Sequence, residues 1–119
     1  MGRRSPEMLR SVADFEALRQ GSRGRSDALV AVRVRETGLP TVRVGFATGR
    51  KLGGAVVRNR VRRRLRHIVR AQSPRLAPGR DILIVIRPAG ATVDQARLAD
   101  SLERALRGLG AWQGETTDR

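Results

Sequence analysis

The clearest periodic pattern in the chain is a stripe of apolar residues between positions 55 and 70. The stripe recurs every three or four positions and consists of Val57, Val61, Leu65 and Ile68. This spacing predicts an amphipathic helix. Gly53 and Gly54 indicate a turn at its start, and no Gly or Pro follows until Pro74. Burial of the stripe against a sheet would contribute roughly 1.5–3 kcal/mol per side chain as an upper estimate.

Apolar runs of other kinds predict strands. Residues 27–35 become rich in β-branched side chains, and residues 41–48 alternate between two faces. These faces are Val42, Val44, Phe46 and Thr48 on one side and Arg43, Gly45 and Ala47 on the other. We expect Phe46 in the core. Residues 81–87 form a continuous apolar run, typical of a central strand buried on both faces. Residues 23–26 leave room for a further short strand.

Two more helices are predicted toward the ends of the chain. Residues 8–18 carry apolar side chains at helical spacing. The other helix follows Thr92, a plausible N-cap, and stops near Gly108 or Gly110. Because its acidic residues balance its arginines, we expect this helix to pack in the fold rather than to bind an anionic partner.

The order helix, strand, strand, helix, strand, helix predicts an α/β (α+β) two-layer sandwich, with helices on a mixed four-stranded sheet that includes the short extra strand. A chain of 119 residues suggests one domain with a modest core. We place this domain at residues 8–112, with a basic tail at 1–7 and a second tail at 113–119. The chain has no cysteine, which excludes disulfides and Cys-type zinc sites and is compatible with the cytoplasm.

Charge changes the interpretation of the helix predicted at 55–70. The chain carries 25 Lys and Arg against 11 Asp and Glu, a net charge of +14. Between positions 50 and 70 there is no acidic residue at all. Like charges four residues apart repel by a few tenths of a kcal/mol per pair. A bound polyanion therefore explains this acid-free run of cationic residues better than a solvated helix face does. Nucleic acid is the first candidate for the polyanion, ahead of an anionic membrane surface.

Residues 49–66 read GRKLGGAVVRNRVRRRLR. They resemble the RNR signature of the bacterial ribonuclease P protein component, with Arg58-Asn59-Arg60 as the RNR triplet. Arg50-Lys51 and Gly53 stand at the positions of the family's basic pair and glycine. The resemblance covers residues 8–109, and near the N-terminus Asp14-Phe15 fits the family, whereas Arg19 stands where many members have a second aromatic residue.

The resemblance implies a fold with a left-handed strand–helix–strand crossover. It also implies a protein subunit without catalytic residues, which binds ribonuclease P RNA and the 5′ leader of precursor tRNA and assists endonucleolytic removal of that leader. The RNA subunit would do the chemistry with Mg²⁺, and the protein itself would bind no cofactor or metal. The implied partners are the two RNAs, in the cytoplasm, and neither DNA nor a membrane.

By position, the resemblance implies two groups of site residues. The RNA-binding group is Arg50, Lys51, Arg58, Asn59, Arg60, Arg62, Arg63, Arg64 and Arg66. The leader cleft would contain Phe15, which could also be an ordinary core residue. Arg43 joins it because the strand face that carries this residue is smooth enough for a nucleic-acid backbone to approach.

Other interpretations stay open at this point. A ribosomal or general RNA-binding protein would share the charge and size. A DNA-binding module with the basic helix in the major groove is less favoured, because the apolar stripe ties that helix to a sheet. Asn59 could contact RNA or stabilise the Gly53-Gly54 turn. His67, the only histidine, has no carboxylate near it in sequence, so we expect a partly buried residue at the helix edge rather than a catalytic base.

Overall fold

A computed structural model describes residues 7–9, 16–18 and 20–113 of the chain. Their strands form one sheet with the order β1-β4-β5-β3-β2. The strands are β1 (Glu7–Met8), β2 (Arg23–Ser26), β3 (Val30–Glu36), β4 (Val42–Ala47) and β5 (Arg80–Ile86). β4 is parallel to β1 and β5, whereas β3 is antiparallel to β5 and β2. The predicted α/β class with a mixed sheet is confirmed, including the short strand at residues 23–26.

Two long helices, α1 (Ala55–Gln72) and α2 (Gln95–Gly108), follow the order that the pattern predicts. Three 3-10 turns lie at Arg50–Leu52, Ser73–Arg75 and Pro88–Ala91. The N-cap of α2 is Asp94, whose carboxylate accepts a hydrogen bond from the Arg97 backbone N–H at 2.9 Å. The prediction of Thr92 as the cap is wrong, because the chain first completes the turn at Pro88–Ala91.

Both helices pack on one face of the sheet and form the main core there. From the sheet this core takes Val30, Val32, Val34, Val44, Ile82, Ile84 and Ile86, and from the helices Val61, Leu65, Ile68, Val69, Leu98, Leu102 and Leu106. The predicted stripe on α1 is confirmed except at Val57, which is half-buried in the first turn, whereas Val69 is buried without having been predicted. Phe46 is half-buried against the same core.

The opposite face of the sheet is partly covered by the N-terminal part of the chain. Leu9 and Leu18 bury themselves against Leu83 of β5, with Ala47 and Val85 at the margin. β5 is therefore apolar on both faces, as its continuous run predicts. α1 and α2 thus cover one face of the sheet, as in a two-layer sandwich, and the small N-terminal cluster covers part of the other face.

The N-terminal prediction needs correction. Met8, predicted to begin a helix, instead forms a short strand with Glu7, which was predicted to belong to the tail, and the Leu9 N–H donates to the Val44 carbonyl at 2.9 Å. The sheet consequently has five strands instead of four. Helical spacing is a local signal, whereas β1 forms because the free edge of β4 supplies partners for its backbone. Residues 16–18 are helical as predicted, and residues 10–15 lie outside the described part of the chain.

The strand predicted at residues 27–35 begins three residues later, at Val30. The Asp27 carboxylate causes the delay, because its Oδ1 accepts hydrogen bonds from the backbone N–H groups of Leu29, at 2.8 Å, and Val30, at 3.0 Å. Such a side-chain turn competes with strand pairing. Further along, α1 connects the adjacent parallel strands β4 and β5. The left-handedness of that connection stays a prediction of the resemblance.

Candidate nucleic-acid interface

The outer side of α1 forms a convex cationic surface. Because the apolar stripe holds the opposite side on the sheet, the exposed polar and charged residues lie together; they are Asn59, Arg60, Arg63, Arg66, His67 and Arg70. We call this set the helix surface. Arg58 and Arg62 flank it and are half-buried, and Arg62 donates to the Asn59 side-chain oxygen at 3.4 Å. The expectation of a partly buried His67 is wrong, since the residue is exposed.

Arg64 differs from the other arginines of α1. Its Nε donates to the Gln95 side-chain oxygen at 2.9 Å, its Nη1 donates to the Ala91 carbonyl at 3.1 Å, and its Nη2 donates to the Val93 carbonyl. The Gln95 amide in turn donates to the Arg64 carbonyl at 3.4 Å. The guanidinium therefore joins α1 to the segment that leads into α2, and its donors are directed at protein.

The sequence position of Arg64 already indicates that its side chain can contact the rest of the fold. It lies three residues after Val61 and four before Ile68, so it shares their side of the helix. A cation beside an apolar stripe needs acceptors from the neighbouring elements, because burying it unpaired is costly. Only the fold shows that these acceptors come from the 91–95 segment.

Arg50 and Lys51 precede α1 and lie in the 3-10 turn, where both are exposed. Gly53 lets the chain turn from there into α1, because its φ of 130° is a conformation that residues with a side chain rarely adopt. The turn places the two cations at the margin of an open depression of about 480 Å³, with Arg87 and Pro88 on the same rim.

A second depression, of about 380 Å³, continues the first toward the edge strand β2. Ala31 of β3 and Val85 of β5 line both, so the two form one trough on the sheet face away from α1 and α2. We call it the sheet groove. Its floor is small and apolar, and Arg25 and Arg33 lie at its second end.

Arg33 is held firmly at this end of the sheet groove. Its Nε donates to the Ser22 hydroxyl at 2.7 Å and to the Leu18 carbonyl at 3.3 Å, and its Nη2 donates to the Ser22 carbonyl at 3.2 Å. These bonds tie the segment before β2 to the sheet. This part of the groove could not be predicted from the sequence, because its floor and rim combine β2 and β3 with β5, which follows only after β4 and α1.

Arg43, which was predicted for the leader cleft, donates its hydrogen bonds to a carboxylate of the fold. Its Nε and Nη2 donate to the two carboxylate oxygens of Asp81, at 2.8 and 2.7 Å, and Arg35 donates to the same carboxylate at 2.8 Å. Asp81 is wholly buried. Burial acts to raise the pKa of Asp81, but the hydrogen bonds from Arg43 and Arg35 outweigh it and hold the pKa below its usual value.

This three-residue cluster joins β3, β5 and β4 on the sheet face that also carries the sheet groove. The Arg43 guanidinium is therefore engaged with a buried carboxylate of the fold. The other residue of the predicted leader cleft, Phe15, lies outside the described residues. An acidic residue at the head of the apolar run 81–87 was the available signal, because a buried carboxylate requires cationic partners.

Within residues 7–9, 16–18 and 20–113, no three His, Asp or Glu side chains come together in a group that could hold a metal ion. Over the same residues, neither helix combines the length and the apolar character that a membrane span needs.

Comparison with known proteins gives a consistent result. Residues 4–110 match the family Ribonuclease P. The ribonuclease P protein component of Acidothermus cellulolyticus is 42% identical over 100 residues, which are 82% of this chain and 83% of that protein. That of a Nocardioides species is 44% identical over 107 residues, covering 87% and 91%.

Solved structures agree with the fold. The RNase P protein from Thermotoga maritima superposes with a TM-score of 0.76 at 26% identity, over 82% of this chain and 93% of that one. The RNase P protein of Staphylococcus aureus gives a TM-score of 0.80 at 20% identity, over 89% and 97%. The family match spans nearly the whole chain, and the relatives exceed 30% identity over most of their own length. The chain therefore belongs to the ribonuclease P protein component family.

Proposed function

We propose that this chain is the accessory protein subunit of a bacterial ribonuclease P, and that it binds both the catalytic RNA and the 5′ leader of precursor tRNA. The observation that carries the proposal is the presence of two cationic surfaces on opposite sides of the domain. The helix surface is convex and the sheet groove is concave, and the turn with Arg50 and Lys51 lies between them.

The helix surface suits the backbone of a folded RNA. Residues three or four positions apart on a helix lie about 5–6 Å from each other, so Arg60, Arg63 and Arg66 present neighbouring guanidinium groups. Arginine contacts phosphate through two parallel hydrogen bonds, which favours it over lysine at such sites. We assign this surface, with Asn59 at its edge, to the catalytic RNA.

The sheet groove suits a single strand. Its apolar floor of Ala31 and Val85 can receive the faces of unpaired bases, while cations on its rims neutralise phosphates. A duplex would not bring its bases into contact with such a floor. We therefore assign the groove to the leader, with Arg50 and Lys51 where the leader enters.

In this proposal the chain performs positioning and charge compensation. The RNA subunit, with its Mg²⁺, supplies the hydrolysis of the phosphodiester bond. The protein reduces the repulsion between two polyanions, an effect that matters most when the Mg²⁺ concentration is low. It also holds the leader on a surface that mature tRNA does not occupy, which favours substrate over product.

Reconstitution with a bacterial ribonuclease P RNA tests the proposal. At low Mg²⁺ the protein should restore accurate 5′ cleavage of precursor tRNA, and the protein alone should cleave nothing. Arg60→Glu reverses a charge in the centre of the helix surface and should impair the reconstituted activity strongly. Arg97→Glu, an equal charge change at an exposed position of α2, is the matched control.

Two results would contradict the proposal. Equal losses in Arg60→Glu and Arg97→Glu would show that total charge, and not the helix surface, determines assembly. Tight RNA binding without any effect on cleavage would favour a general RNA-binding protein.

A further inference from the structure

The sheet groove continues beyond the sheet. A smaller depression of about 150 Å³ lies between β2 and the C-terminal half of α2, where Ser101, Arg104 and Ala105 line it. Arg25 and Ser26 of β2 line this depression and the sheet groove alike. The surface is therefore continuous across the edge strand β2, all four residues of which are exposed.

Positive charge dominates the whole path. Its cationic residues, in order along the surface, are Lys51, Arg50, Arg87, Arg33, Arg25 and Arg104. Asp27 is the acidic residue that lines it. Six cations against one carboxylate leave five positive charges for a polyanion to neutralise.

The Asp27 carboxylate is already committed to the fold. Oδ1 caps the turn before β3 through two backbone N–H groups, and Oδ2 accepts a hydrogen bond from the Ser101 hydroxyl. Partial burial acts to raise the pKa of Asp27, but the hydrogen bonds from Ser101, Val30 and Leu29 outweigh it and lower the pKa. Asp27 thus anchors β3 to α2, and it offsets the charge of only one neighbouring arginine.

The two arginines at the far end are placed for contact with a ligand. The Arg25 side chain lies over the end of α2, where a methyl group at Gly108 would come within 2.5 Å of its Nε. Arg104 has 70% of its side chain exposed, and its Nη2 is 3.9 Å from the Asp27 carboxylate. An ion pair this exposed and this long contributes little, so the guanidinium is available to a phosphate.

We propose that the single-stranded leader does not end in the sheet groove but crosses β2 and places further phosphates on Arg25 and Arg104. This inference rests on the proposed function, since it extends the path of the same strand. It assigns a substrate-binding role to α2. From its balanced charges, this helix was predicted to pack in the fold and not to bind an anionic partner. It also predicts that long leaders are bound more tightly than short ones.

Affinity as a function of salt tests the path. The holoenzyme, assembled with ribonuclease P RNA, is titrated with precursor tRNAs whose leaders have about 4 or about 12 nucleotides, within the range of single-strand site sizes. Each phosphate contact on a single strand adds about 0.7 to the magnitude of the log–log salt slope. The longer leader should therefore give a slope steeper by about 1.4, for two extra contacts.

Variants locate these contacts. Arg25→Ala and Arg104→Ala should each remove about half of the slope difference, and the double variant should abolish it, while Arg104→Ala leaves the affinity for the short leader unchanged. Arg97→Ala, on the same helix but outside the depression, is the matched control and should keep the full difference. Circular dichroism melting of each variant verifies that the fold is intact.

Three outcomes would overturn the inference. Equal slopes for both leaders in the unaltered holoenzyme would mean that the leader stops in the sheet groove, and arginines on β2 would then serve only to protect an exposed strand edge. If the double variant weakened the binding of mature tRNA as much as that of precursor tRNA, the tRNA body and not the leader would lie on this surface. Weakened assembly with the RNA subunit would assign the surface to that RNA.

The proposed function has its own readout in the same experiment. Lys51→Ala should weaken binding of the short leader, because Lys51 lies at the other end of the path. If it does so while Arg25 and Arg104 have no effect, the proposed function stands and the extended path falls. If Lys51→Ala has no effect, the assignment of the sheet groove fails independently of α2.

Discussion

Replacing Arg64 by Ala should destabilise the protein without weakening RNA binding. The substitution removes three hydrogen bonds from a charged donor and leaves the Gln95 side chain and two backbone carbonyls, those of Ala91 and Val93, without that partner. Bonds to a charged group contribute about 1.5–3 kcal/mol each when buried. Arg64 is half-buried, so water can replace part of what is lost.

We therefore expect a loss of about 2–3 kcal/mol in the free energy of unfolding, the cost of breaking one partly solvated network. For a domain of this size, about 4 °C of melting temperature corresponds to each kcal/mol, so the midpoint should fall by roughly 8–12 °C. Urea unfolding should give a lower midpoint with an unchanged slope, because the surface exposed on unfolding stays the same.

The control is Arg63→Ala, one residue away on the exposed side of α1. Its stability should stay within about 0.5 kcal/mol of the parent, as for most surface substitutions, while its RNA affinity falls. A double-mutant cycle of Arg64→Ala with Gln95→Ala should show a coupling energy of about 0.5–3 kcal/mol. The reasoning is refuted if Arg64→Ala keeps its stability and loses RNA affinity as Arg63→Ala does, since Arg64 would then contact RNA.

Further predictions concern Asp81, Gly53 and the salt dependence of RNA binding. Asp81→Ala should lower the free energy of unfolding by about 2–3 kcal/mol, because it removes the buried carboxylate that accepts hydrogen bonds from Arg35 and Arg43, and chemical denaturation measures this loss. Because the pKa of Asp81 is lower in the folded than in the unfolded state, its ionised carboxylate stabilises the fold fully above the unfolded pKa of about 3.9. This stabilisation disappears as the pH falls through the lower folded pKa. The stability of Asp81→Asn should therefore depend less on pH in acid unfolding than that of the parent protein. Gly53→Ala should cost about 1 kcal/mol or more in a thermal melt, because alanine is strained at a φ of 130° and its methyl group would lie 3.2 Å from Val57. RNA affinity should fall with salt at a log–log slope of roughly −3 to −6, and a slope near zero would exclude a mainly electrostatic interface.

Local patterns in the sequence were sufficient for most of the fold. The stripe on α1 and the apolar run of β5 depend only on neighbours a few positions away, and both are confirmed. β1 could not be predicted in this way, because two residues carry no periodicity and their pairing with β4 crosses 36 positions. The prediction that Val57 is buried is wrong for a related reason. The first turn of α1 follows directly on the turn at Gly53, and fewer neighbouring side chains cover it than the periodicity implies.

The candidate site was harder to predict than the fold. All the arginines of α1 look alike in sequence, yet Arg64 has its acceptors 27 to 31 residues away, and Arg43 has its acceptor 38 residues away. Such distances are set by topology, so composition and spacing cannot separate a structural arginine from a ligand-binding one. The floor of the sheet groove illustrates the same limit, because Ala31 and Val85 become neighbours only when β3 pairs with β5.

The distribution of the acidic residues explains why the two surfaces remain cationic. Among residues 20–113, the ion pairs join acidic side chains to arginines of the sheet and of α2: Asp81 with Arg35 and Arg43, Glu36 with Arg23 and Arg80, Asp27 with Arg104, and Glu103 with Arg107. Over the same residues, none involves α1. The carboxylates thus lie near arginines outside α1, and the repulsion among the arginines of the helix surface persists in the free protein. Because a bound RNA removes that repulsion, RNA binding should also raise the melting temperature, and it should do so less when Arg60 or Arg63 is replaced by alanine.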